Sequence, residues 1–266
     1  MLLRTAAKYI SLTLEIKKRN LLSEMEYRVS FFIQFFGMIL NDIGWLVVWL
    51  MVFLRFPDLN GWTSNELIIL QSVTALTWGL IYFFVDGVDE ISIYIAEGRL
   101  DQFLSLPKNI LWQVSVSDTY VTSLGDITFG LFLFFFAKEA SIGNFFVFIL
   151  VAVLGAIVAY SFMLIAHSLT FFFGNFKQAA WSLIGAFSHL TDSPQSIYRG
   201  GLKFISMFIF PAFFVGMLPV TIIKNFSWLH LSLLSAAALV IFVIAKKVFF
   251  TGLKRYESGN QININM

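Results

Sequence analysis

Cysteine is absent from the 266 residues, which removes disulfides, thiol nucleophiles and thiolate-ligated metals at once. Charge is scarce as well. Only 13% of residues are Asp, Glu, Lys or Arg, against roughly 25% in a soluble domain, while 58% are apolar. That balance excludes an ordinary soluble enzyme. The three histidines, His167, His189 and His230, lie on separate segments without H-E-x-x-H spacing, so no metal site is expected. No stretch reads G-x-x-x-x-G-K-[ST], so the chain has no P-loop with which to hold a nucleotide itself. A net charge of +2, with no arginine-rich tract, gives no footprint for nucleic acid.

Long apolar runs fill the space left by these absences, and Phe alone occurs 32 times. Runs of about 20 apolar residues are what a helix needs to cross a bilayer. The sequence predicts an all-α membrane protein, a single domain over 1–266, with six transmembrane helices near 29–54, 67–85, 120–137, 145–172, 176–192 and 228–249. Gly155, Ala156 and Ala159 in the fourth would let a neighbouring helix come close. The first twenty residues do not pattern as a cleavable signal, because Lys8, Glu15, Lys17, Lys18 and Arg19 interrupt any apolar core. Instead 5–20 reads as an amphipathic helix lying in the interface, with Tyr9, Leu12 and Ile16 on its apolar side.

The stretch 202–223 is apolar but interrupted by Pro211, Gly216 and Pro219. Each proline removes a backbone donor, and broken backbone at membrane depth must be satisfied by protein or a wet cavity. It reads as re-entrant helices with breaks at Pro211 and Pro219, the alternative being one kinked span. Of the 18 Lys and Arg residues, thirteen fall on the segments this topology puts inside and five outside: Arg55, Lys138, Arg199, Lys203 and Lys224. By the positive-inside rule, both termini and the loop Asp86–Asn109 are expected in the cytosol.

Two groups of residues carry functional expectations. Asp42 and Asp126 sit within predicted spans, where a carboxylate costs at least roughly 3 kcal/mol on insertion scales. With His167 they form a possible translocation path, or else they bond to neighbouring helices. The second group is Glu97-Gly98-Arg99-Leu100-Asp101-Gln102-Phe103-Leu104, closed by Pro107. Charges beside Leu100, Phe103 and Leu104 have the composition of a docking surface.

With that segment in view, the chain resembles the permease subunits of type-2 ABC exporters, in their bacterial branch. The resemblance rests on Tyr27-Arg28, Gly61-Trp62, Gly98 to Leu104 with Pro107, Ser193-Pro194, Ile197-Tyr198, Phe210-Pro211-Ala212-Phe213, Leu218-Pro219 and the ending Gly252 to Gly259, in that order. Asp192 before Ser193-Pro194 departs from the family's pattern. The resemblance implies a multi-pass protein of the bacterial inner membrane that pairs with a second permease, identical or homologous. It implies two ATP-binding subunits, which hold ATP and Mg and dock on a cytosolic coupling helix between spans 2 and 3, here Glu97 to Leu104. The chain itself would then be no enzyme, with no cofactor, metal or catalytic residue of its own. Two rivals come from other classes: a proton-coupled secondary transporter using Asp42, Asp126 and His167, and a non-transporting membrane scaffold or immunity protein.

Overall fold

The computed structural model describes residues 2–256 and is all-α, with no strand among the described residues. Helix α1 (Leu2–Glu24) passes through a 3-10 turn into α2 (Arg28–Arg55), and helical geometry breaks at Tyr27, with φ −98° and ψ 67°. Helix α3 (Ser64–Phe84) starts on a capping box, in which the Thr63 backbone N–H donates to the Glu66 carboxylate at 2.9 Å. Three short helices follow: α4 (Ile91–Ala96), α5 (Asp101–Leu104) and α6 (Ile110–Val116). The chain then forms α7 (Ser123–Phe134), α8 (Ile142–Ser168), α9 (Thr170–Phe173) and α10 (Lys177–Thr191). After α10 come α11 (Gly201–Phe204) with a π-turn over Ile205–Ile209, α12 (Ala212–Val215), α13 (Met217–Lys224) and α14 (Trp228–Leu253).

Among the described residues, four continuous helical stretches are long and apolar enough to cross a membrane: Ala7–Arg55, Ser64–Phe84, Ile142–Phe173 and Trp228–Leu253. The bent pair Gly201–Ile209 and Ala212–Lys224 makes a fifth if it is one span. Helices α7 and α10, predicted as spans over 120–137 and 176–192, have 12 and 15 residues. At 1.5 Å per residue they are about 18 and 22 Å long, short of the roughly 30 Å hydrocarbon layer. The start of α7 is delayed because the Tyr120 backbone N–H donates to the Tyr82 carbonyl at 3.0 Å, holding the chain against the end of α3. Helix α3 is the central element. Two thirds of its apolar window is buried (67%), against 6% for the stretch containing α2 and 17% for α14. The outer faces of α2 and α14 are therefore available to lipid or to another chain. Gly155 of α8 faces Thr77 of α3, as the small-residue pattern predicts.

The side of α1 that carries Tyr9, Leu12 and Ile16 turns toward α6 and the loop before it. Tyr9 packs edge-on to Trp112 of α6 at 4.7 Å, and Leu12 and Ile16 share a pocket with Phe103 and Trp112. The Lys17 ammonium is buried and donates to the Asp118 carbonyl, while Asn20 Nδ2 donates to the Ser117 carbonyl at 3.1 Å. Helical periodicity marks an apolar face without saying what covers it.

The stretch 201–224 bends by 71° between its two halves, at Phe210 and Pro211. A second break lies at Gly216, whose φ −99° and ψ −79° separate α12 from α13. Pro219 does not break the chain as predicted. It sits in the first turn of α13, where its missing N–H would have no helical partner in any case. Both ends of this stretch return to one end of the bundle. Arg199 donates to the Asn60 side chain at 3.2 Å, and Lys224 pairs with Glu66, only six residues further along. The bend itself reaches α8, where Phe210 lies 5.5 Å from Phe162.

Candidate translocation cavity and coupling segment

A cavity of about 610 Å³ lies among α2, α3, α7 and the end of α10. It is lined along α3 from Gln71 to Tyr82, a rise of about 16 Å, roughly half the hydrocarbon thickness. Asp42, near the middle of α2, and Asp126, in the first turn of α7, both face it. They meet because Gly125 lets α7 start against α2. A Cβ there would lie 2.8 Å from the Phe35 carbonyl oxygen and 2.9 Å from the Met38 Cβ. The two carboxyls are close neighbours there. Asp126 is 4% exposed, and the Asp42 Oδ2 is buried without a hydrogen-bond partner among the described residues.

A third carboxyl, Asp192, completes the lining and was not among the path residues read from sequence. Ser188 Oγ donates to its Oδ2 at 3.3 Å, and Gln71 Nε2 donates to its backbone carbonyl at 2.8 Å. The signal was available, since Asp192 closes the apolar stretch 176–192 just as Asp42 interrupts 29–54. The aromatic walls come from Trp45, Trp78 and Tyr82. Trp78 stacks on Tyr82 at 5.9 Å, and Trp45 faces His189 at 6.3 Å.

His167 is not part of this group. Wholly buried at the far end of α8, it sets Nε2 3.1 Å from Asp89 Oδ1 and Nδ1 3.0 Å from Ser92 Oγ. It therefore ties α8 to the segment leading into α4, at the Arg99 end of the bundle. The segment Glu97–Leu104 turns at Gly98, whose φ of +70° suits glycine. Arg99 pairs with Glu97 at 2.9 Å and covers the Tyr94 ring at 5.1 Å. Leu100, predicted on the docking surface, is fully buried in the chain's own core, and Phe103 is half-buried against Tyr94. Leu104 and Leu106 are the apolar side chains left exposed, at 48% and 51%. Gln102 is exposed, and Asp101 lies beside Tyr256, just past the end of α14. Of the C-terminal motif, Glu257, Ser258 and Gly259 lie outside the described residues.

The same end of the bundle is acidic. Burial, with repulsion from Asp118 and Asp89, pushes the Asp86 carboxyl up to about 7, and nearby Lys17 only partly offsets this. Glu90 is raised for the same reasons, burial first. No group of three or more metal-type side chains occurs among the described residues.

Residues 39–260 match the family model described as "ABC-2 family transporter protein". No curated protein matches the chain, and no solved structure does. The match covers α3 to α14 together with the half of α2 that carries Asp42, and so takes in both the cavity and the segment Glu97–Leu104. With its all-α, multi-pass apolar architecture, the chain belongs to the ABC-2 family of transporter permeases.

Proposed function

We propose that this chain is the membrane half of an ATP-driven exporter of the bacterial inner membrane. Two such permeases, identical or homologous, would pair and receive two ATP-binding subunits, which hold ATP and Mg and hydrolyse the nucleotide. In this reading the chain crosses the bilayer six times, at α2, α3, α7, α8, α10 and α14, with 201–224 entering and leaving on the outer side. Both termini and the Arg99 end then face the cytosol. The meeting of Arg199 and Lys224 with the Asn60–Glu66 segment supports the re-entrant assignment.

One observation carries the mechanism: the segment around Arg99 is fastened to the bundle yet leaves apolar side chains outside it. His167 ties Asp89 and Ser92 to α8, and Leu100 anchors the turn in the core. Leu104 and Leu106 remain for a partner. Force applied there would pass through buried contacts into α8 and, by way of α3, to the walls of the cavity. The proton-coupled rival relies on a path through Asp42, Asp126 and His167, whereas His167 is held by Asp89 and Ser92. A scaffold has no use for a polar cavity half a membrane deep.

The test is recovery of the ATP-binding subunit with tagged chain from native membranes. Leu104→Asp combined with Leu106→Asp is expected to lose that subunit while the permease still elutes as a folded species. Undiminished recovery would sink the assignment of Glu97–Leu104 and its flank as the coupling site.

A further inference from the structure

Resting on the reading of the cavity as the cargo path, we infer that it receives an organic cation, an ammonium-type group held by Asp42, Asp126 and Asp192 against Trp45, Trp78 and Tyr82. Among the described residues, the lining holds three carboxyls and one imidazole, that of His189 beside Asp192, with no Lys or Arg. A cavity of that composition at membrane depth has an excess of acidic groups, and an intramembrane carboxyl ordinarily pairs with a basic side chain or marks a path for charge. Here the pairing is incomplete. Asp126 is all but inaccessible and has another carboxyl as its neighbour, and the Asp42 Oδ2 has no hydrogen-bond partner among the described residues. The missing element is a positive group.

Size and walls decide which kind. A volume of about 610 Å³ is some twenty times the roughly 30 Å³ share of one water molecule, so a bare metal ion would leave it nearly unfilled. The carboxyls are also not gathered into a metal-type cluster. Indole and phenol faces attract cations through their ring quadrupoles, and they do so best for weakly hydrated organic cations in desolvated sites. Trp78 is fixed in place by its Nε1–H, which donates to Thr191 Oγ1 at 3.3 Å, and by stacking on Tyr82. These rings form a preorganised part of the wall that also carries Asp42 and Asp126.

The test uses the full chain in lipid nanodiscs and equilibrium dialysis with benzyltrimethylammonium against neopentylbenzene, its uncharged isostere, each corrected with empty nanodiscs. The wild-type chain is expected to bind the cation saturably and about tenfold or more tightly than the isostere. Asp126→Asn should weaken the cation at least about tenfold, and Trp78→Leu about threefold, with little effect on the isostere. Asp42→Asn provides a second variant, and gel-filtration profiles verify that each is folded. Absence of saturable cation binding, or binding unchanged in both folded Asp variants, overturns the proposal. Recovery of the ATP-binding subunit with the same Asp variants separates the two readings: intact recovery without cation binding removes the cation assignment and spares the permease.

Discussion

His167 on α8, itself wholly buried, meets the half-buried Asp89 at the approach to α4, Nε2 to Oδ1 at 3.1 Å, and Ser92 occupies the other ring nitrogen at 3.0 Å. Both ring nitrogens are used, so the imidazole is fixed in orientation and joins a spanning helix to the segment proposed to receive the motor. His167→Ala would leave the Asp89 and Ser92 side chains without this partner, at a cost of about 1–3 kcal/mol. We expect the variant to keep the ATP-binding subunit and its ATP hydrolysis but to lose most transport in proteoliposomes. Transport at the wild-type rate per ATP hydrolysed would show that force takes another route.

Leu100 and Leu104 are four residues apart and have opposite surroundings, one fully buried and the other 48% exposed. Leu100→Ala is expected to destabilise the fold by about 2–5 kcal/mol, as cavity-forming substitutions do. Leu104→Asp should leave the thermal midpoint within about 2 °C, since exposed substitutions shift stability by less than about 0.5 kcal/mol. Only the second should weaken the partner without weakening the permease. Thermal melts of both variants in detergent, alongside partner recovery, check this. Equal destabilisation by the two would remove the distinction between anchor and docking residue.

The Asp86 carboxyl offers a pH-dependent check outside the spans. Its pKa rises from 3.8 unfolded to about 7 folded, through burial first and then repulsion from Asp118 and Asp89. Between those values the folded chain holds a proton that the unfolded chain has released. The folded state therefore loses stability as pH rises through this window and gains it as pH falls. Asp86→Asn should flatten the dependence between about pH 4 and 7 and raise the thermal midpoint at pH 8 by about 3 °C or more. A variant with the wild-type slope would show that Asp86 is not the group responsible.

The membrane class and most spanning helices were legible because apolar length is set by bilayer thickness, and a run such as Ile142–Phe173 has no soluble alternative. Asp42 and Asp126 stood out for the same reason, each a charge in an apolar run. What could not be read was which side chains meet. Asp192 joins them only because α10 ends opposite Gln71, a relationship 121 residues apart in sequence. Likewise Leu100 and Leu104 look alike as letters, and burial separates them only once α4, α5 and α6 have packed. Pro219 misled because a proline signals a break only beyond the first turn of a helix, and where α13 begins is decided at Gly216.

Glu66 holds both the first turn of α3 and the last residue of α13, accepting from the Thr63 backbone N–H at 2.9 Å and from the Lys224 ammonium. The carboxylate is 9% exposed and the ammonium 32%, so the pair is shielded from water on one side more than on the other. Removing the cation alone leaves a largely buried carboxylate, so Lys224→Met is expected to cost about 2 kcal/mol, with the Thr63 cap retained. If 201–224 is a hairpin returning to the outer side, this substitution should also expose it. A cysteine introduced at Lys203 should react faster with a membrane-impermeant maleimide added from outside, while one introduced at Lys177 stays unreactive. Labelling at position 203 from the cytosolic side alone would place the stretch across the bilayer as a fifth long span and overturn the re-entrant assignment.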